Sequence, residues 1–136
     1  HLFAQPILAL DAGIVGGLIN SPVDGNLVKV AEGRTQLLIG DQCSSVHNIS
    51  LAIVLWTTAA ALFRVRIDRQ YLWIGSGMIA FMFVLNVARL AAIGLFPRHF
   101  ELLHVGTGAV LIGWAGLIGA GFLAGWGVVG AHRRQQ

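Results

Sequence analysis

Residues 71–96 read YLWIGSGMIAFMFVLNVARLAAIGLF, with Arg89 the one charged side chain in the stretch. A helix rises about 1.5 Å per residue, and about 20 apolar residues cross the hydrocarbon core of a bilayer. Backbone in lipid must satisfy its own hydrogen bonds, so a segment this long is a helix. A lone chain this short does not close a barrel. Two more stretches read the same way, about 46–63 and about 102–130. Composition agrees: of 136 residues, 56% are hydrophobic and 11% charged. Soluble domains average about 25% charged residues, so a cytosolic globular domain is excluded. Disorder is excluded too, since it needs few hydrophobics and high charge. The single cysteine excludes an intramolecular disulfide and a Cys-rich zinc site, and no metal or cofactor is expected. The net charge is only +3, and most of its arginines fall in short clusters, which argues against nucleic-acid binding.

The clusters set a topology. Arg64, Arg66 and Arg69 lie between the first two spans, and Arg133 and Arg134 follow the third. Lys and Arg accumulate on the cytoplasmic side, so both clusters are assigned inside, and two intervening spans make them consistent. The turn 97–101 and everything before residue 46 then face outside. The expected fold is an all-α integral membrane protein, a single domain over 1–136 with three transmembrane helices in the inner or plasma membrane. An apolar helix over about 1–20, interrupted by Gln5, Pro6 and Asp11, precedes them. In the segment 21–43, residues 26–30 (NLVKV) and 35–39 (TQLLI) are strand-like around a loop 31–34, a small extracytoplasmic β-hairpin. Glycines 106, 108, 113, 116 and 119 suit close helix packing within this chain.

Polar groups that do not belong in lipid mark the candidate site. Arg89 falls near the outer end of the second span, His104 opens the third, and Cys43 sits just before the first. Singly, each has a bland reading: a snorkelling arginine, an interfacial histidine, an inert cysteine. Together they occupy one membrane depth on three helix ends. A thiolate is a nucleophile whose pKa falls at a helix N-terminus or beside a cation. Ser44 and Ser45 are good N-cap residues and put Cys43 at such a terminus. Histidine moves protons, and arginine holds a developing oxyanion. His47, one turn after Cys43, is an alternative base. Asn86 shares a helix face with Arg89, either to orient it or to bond a neighbouring helix. Asp41 reads as a solvated loop acid and Glu101 as a capping or interfacial one. Two rival readings remain: a non-enzymatic membrane subunit, and a haem protein ligated by His47 and His104.

The pattern resembles the exosortase/archaeosortase family of membrane cysteine transpeptidases. The hairpin around residues 22–39 precedes the cysteine motif Asp41-Gln42-Cys43-Ser44-Ser45. Asn86-Val87-Ala88-Arg89 follows near the end of a span, and His104-Val105-Gly106 comes after it. The resemblance implies that Cys43 is the nucleophile, Arg89 and His104 the essential arginine and histidine, and Asn86 and Ser44 supporting residues. It implies a reaction in which exported proteins carrying a C-terminal tripartite sorting signal are cleaved through a Cys thioester, on the extracytoplasmic side, and passed to an acceptor, a lipid or glycan. Ser45 stands where the family usually has glycine. Typical members carry more spans upstream, so the chain is expected to correspond to the C-terminal catalytic part or to a compact member.

Overall fold

The computed structural model describes residues 4–30, 35–40 and 43–135. Helix α1 (Ala4–Leu18) leads into strands β1 (Val23–Asp24), β2 (Leu27–Val30) and β3 (Thr35–Leu38). The long helices α2 (Ser45–Leu62) and α3 (Arg69–Leu95) follow. A 3-10 turn (Pro97–His99) and a short helix α4 (Phe100–His104) then lead to α5 (Thr107–Gln135). Three helices, α2, α3 and α5, are long and apolar enough to cross a membrane. At 15 residues, α1 is about 22 Å long and falls short of a bilayer core of about 30 Å.

Local chemistry fixes where the long helices begin and end. The Ser44 hydroxyl accepts from the Val46 N–H at 3.1 Å and caps α2. At the other end Arg64 adopts φ 49°, the left-handed conformation that usually selects glycine. It lets the Val65 N–H reach back to the Ala60 carbonyl (2.9 Å) and the Arg64 N–H to that of Ala61 (3.3 Å). Val65 is buried in the same apolar cluster as Ala60, so packing offsets the left-handed strain. Asp68 then caps α3 by accepting from the Tyr71 N–H at 2.7 Å, and it pairs with Arg134 of α5 at 3.1 Å. The Tyr71 N–H and, beside it, Arg134 hold the Asp68 carboxyl below the usual carboxylate range. The latch is therefore complete above that range and weakens as pH falls through the lowered value.

The third span starts later than hydropathy indicates. Residues 102–130 are apolar apart from His104 and Thr107, yet the chain breaks at Val105–Gly106, leaving α4 separate from α5. The Val105 and Gly106 N–H groups both turn back onto the Glu101 carbonyl, at 3.0 and 2.7 Å. A Cβ on Gly106 would lie 3.0 Å from that oxygen and from Leu102 Cα, so a side chain there would crowd the backbone of the turn. Hydropathy does not register a backbone break inside an apolar run. His104 consequently ends a short helix instead of opening a span.

The strands form an antiparallel sheet in the order β1-β2-β3, one strand more than the expected hairpin, with Leu27 opposite Leu38 and Val28 opposite Leu37. Residues 31–34, the expected hairpin loop, lie outside the described residues. The inward residues Val28, Val30, Leu37 and Ile39 pack with Leu8, Ala12 and Val15 of α1 against Val87, Leu90 and Ile93 of α3. Sheet and α1 thereby cover the C-terminal third of α3.

Close packing joins the helices. Gly116 and Gly119 of α5 meet Met82 and Phe81 of α3, and Gly127 meets Tyr71 and Ile74. Gly113 has open space in front of it. The outward faces carry exposed Leu111, Trp114, Ile118 and Phe122 on α5 and Val84 on α3, as lipid contact requires. Trp56 stacks on Tyr71 at 5.2 Å and donates to the Tyr71 carbonyl. A Cβ on Gly75 would sit 2.7 Å from that indole. Gly75→Ala is expected to cost about 1–3 kcal/mol by overpacking, measured as unfolding in detergent. Gly77→Ala, with nothing near its Cβ position, should show no loss.

Candidate active site

Asp11 is fully buried on the same face of α1 as Leu8, Ala12 and Val15. Its carboxylate accepts from the Ser45 N–H and the Ser45 hydroxyl, each at 2.7 Å. An acid placed against the first turn of α2 satisfies an N–H that the helix cannot, and its charge complements the helix dipole. Asn86 holds the same turn from α3. Its Nδ2 donates to the Cys43 carbonyl at 3.0 Å and to the Ser45 hydroxyl at 3.4 Å, and its Oδ1 accepts from Asn48 Nδ2 at 3.0 Å. The backbone at Cys43 is thus fixed from two helices.

Cys43 Sγ lies 3.6 Å from His104 Nδ1 and 3.7 Å from Nε2, across 61 residues of sequence. Phe100, one turn earlier on α4, stacks on the His104 ring at 4.8 Å and 25° and sets its plane. Cys43, His104 and Arg89 line one cavity of about 480 Å³, together with Asn86 and, on α2, His47 and Asn48. Toward the bundle interior it continues between Leu51, Met82 and Gly116. Arg89 Nε is buried and has no hydrogen-bond partner among the described residues. A buried charged donor without a partner is costly, and the Arg89 side chain belongs to the cavity wall. All three site residues expected from the sequence therefore meet. His47 lines the cavity without a hydrogen bond to the sulfur, and Ser44 serves as the N-cap. Asp41 lies outside the described residues.

One expectation is reversed. The helix terminus and the neighbouring cation were expected to lower the Cys43 pKa. Burial pushes the thiol up, and the opposing pull of Arg89 is the smaller effect. At neutral pH the sulfur is therefore held as the thiol.

Sequence reading also missed two polar residues, Asp11 and Asn48. Asp11 was visible as an ionisable residue interrupting an apolar run, but nothing in the sequence gave its partner. Asn48, near the start of a span, carried no comparable signal.

A family model described as transmembrane exosortase matches residues 12–124, and the chain belongs to that family. Membership supports a membrane transpeptidase-type role in general. No curated protein and no solved structure matched the chain.

Two measurements follow. Asp11→Ala strands two buried donors of Ser45 and should lower stability by at least about 2 kcal/mol, read by denaturant unfolding in micelles. Asp11→Asn, which keeps one acceptor oxygen, should lose less. Iodoacetamide labelling of Cys43 should rise with pH through a midpoint above the ordinary thiol range, and Arg89→Gln should move that midpoint higher still. A wild-type midpoint below neutrality would contradict the burial argument.

Proposed function

We propose that the protein is a membrane-embedded cysteine transpeptidase that cleaves a C-terminal sorting signal from exported proteins and passes the acyl group to an acceptor. The observation that carries this reading is the contact between Cys43 Sγ and the His104 imidazole in a cavity shared with Arg89. His104 takes the thiol proton, and the thiolate attacks the scissile carbonyl. Arg89 stabilises the oxyanion that forms. As the tetrahedral intermediate collapses, the C–N bond breaks, the His104 imidazolium protonates the departing amine, and a thioester to Cys43 remains. His104 then deprotonates the acceptor, a hydroxyl or amine of a lipid or glycan, or water. That nucleophile attacks the thioester, and the Cys43 thiolate leaves and recovers its proton.

The high thiol pKa favours a proton transfer coupled to attack over a standing thiolate, which makes the imidazole indispensable. Arg64, Arg66, Arg69, Arg133 and Arg134 all lie at or beyond the helix ends remote from Cys43. The enrichment of Lys and Arg on the cytoplasmic side supports an extracytoplasmic site. The apolar part of the sorting signal would enter the cavity from the bilayer, beside the open position at Gly113.

The deciding experiment is capture of a hydroxylamine-sensitive thioester on Cys43, with mass spectrometry of the attached protein. Cys43→Ala should yield none at unchanged abundance. Arg89→Lys should fail nearly as badly as Arg89→Ala, by about 10²–10³, because a point charge does not replace a planar fork of donors. His104→Ala should lose about 10²–10⁴ in rate, while His47→Ala keeps most activity. The opposite pattern between the two histidines would reassign the base.

A further inference from the structure

A second cavity, of about 520 Å³, is also lined by Cys43 and His104. Gln36, Leu38 and Gly40 form one wall, and Leu90 and Phe100 form the other. The same two residues therefore border the first cavity and this one.

The wall contributed by β3 is an open sheet edge. β3 ends the sheet, with β2 as its neighbour. Just past β3, the Ile39 N–H donates to the Asn26 carbonyl at 2.9 Å, and Asn26 Nδ2 donates back to the Ile39 carbonyl at 2.9 Å. In an antiparallel ladder, alternate residues bond a given neighbour. Residue 39 faces β2, so 37 and 35 do as well. The main-chain N–H and C=O groups of Gln36 and Leu38 therefore point away from β2. Among the described residues no other main-chain group takes them up. Their side chains are exposed, Leu38 at 62%. Natural sheets usually blunt or cover such an edge. Here it leads along β3 toward the nucleophile.

We infer that the free edge of β3 binds the extended segment of the substrate preceding the scissile bond, as an added strand beside Gln36 and Leu38. This inference rests on the transpeptidase reading and gives it a substrate form: an unfolded, extended stretch recognised mainly through its backbone. Continuity fixes the occupant. A chain lying along β3 passes Gly40 and arrives at Cys43, and the rest of it has the first cavity to enter. It runs in the same direction as β3. Backbone pairing tolerates varied side chains, while the apolar walls at Leu90 and Phe100 favour an apolar or β-branched residue facing them.

The test uses the full chain in detergent carrying Cys43→Ala, so that binding is read apart from chemistry. The probe is a fluorescein-labelled, capped hexapeptide of alternating Val and Thr, followed by fluorescence anisotropy. Saturable binding is expected. N-methylation of one alternate set of amides should weaken it about tenfold, and methylation of the other set should not. Leu38→Pro removes an edge-facing N–H without removing a ladder bond and should weaken the parent peptide about tenfold, whereas Leu38→Ala should keep most of the binding. The methylated peptides meet unaltered β3, so the result does not depend on the proline variant folding. Equal binding of all three peptides, or no saturable binding, overturns the inference. A β3-to-β3 dimer that Leu38→Pro dissolves overturns it as well, since the edge then serves a second copy. Peptide binding without any acylation of wild-type Cys43 would count against the catalytic reading alone. Acylation indifferent to Leu38→Pro would count against the edge alone.

Discussion

The first turn of α2 is the point on which the site depends. A helix start leaves N–H groups without partners, and in this protein the missing partners come from far along the chain. Asp11 reaches in from α1 and Asn86 from α3, and both bind Ser45. The Cys43 carbonyl is held by the same Asn86 amide. A thiol two residues ahead of a helix would otherwise ride on a loop. Here its backbone is tied to two packed helices, and the sheet and α1 close over them through one apolar cluster. Ser45 matters doubly, because its hydroxyl gives Asp11 a second donor that a glycine would lack.

The electrostatics of the site follow from its burial. Desolvation keeps the Cys43 sulfur protonated, and Arg89 offsets that only in part. A stable thiolate beside a cation would be the better resting nucleophile. On the proposed reading, a protonated thiol against an imidazole reacts only when proton transfer accompanies attack on a carbonyl. Arg89 Nε is likewise buried, with no hydrogen-bond partner among the described residues. Cys43 and His104 line both cavities.

Much of this was legible in the sequence. The three spans followed from length and hydropathy alone, because a bilayer imposes a minimum length of apolar helix. Cys43, Arg89 and His104 were legible because each is a reactive or charged group at a helix end where the same membrane depth recurs. The N-cap at Ser44 is a local feature, and local sequence reported it correctly. The failures are equally specific. The Gly106 break was hidden because both sides of it are apolar, so residues 102–106 were assigned to the span. β1 is two residues long and has no periodicity to detect.

Sequence by itself determined that the chain crosses a membrane with three helices, which ends of those helices are basic, and which side chains were out of place in lipid. These are properties of composition and spacing, read one segment at a time. Only the tertiary structure decided that Asp11 is a partner of Ser45, that Asn86 grips the Cys43 backbone, that burial outweighs Arg89 at the thiol, and that the edge of β3 lies open toward the sulfur. Each of those depends on which distant groups come within about 3 Å of one another and on how much water their packing excludes, and neither quantity is carried by any single stretch of residues.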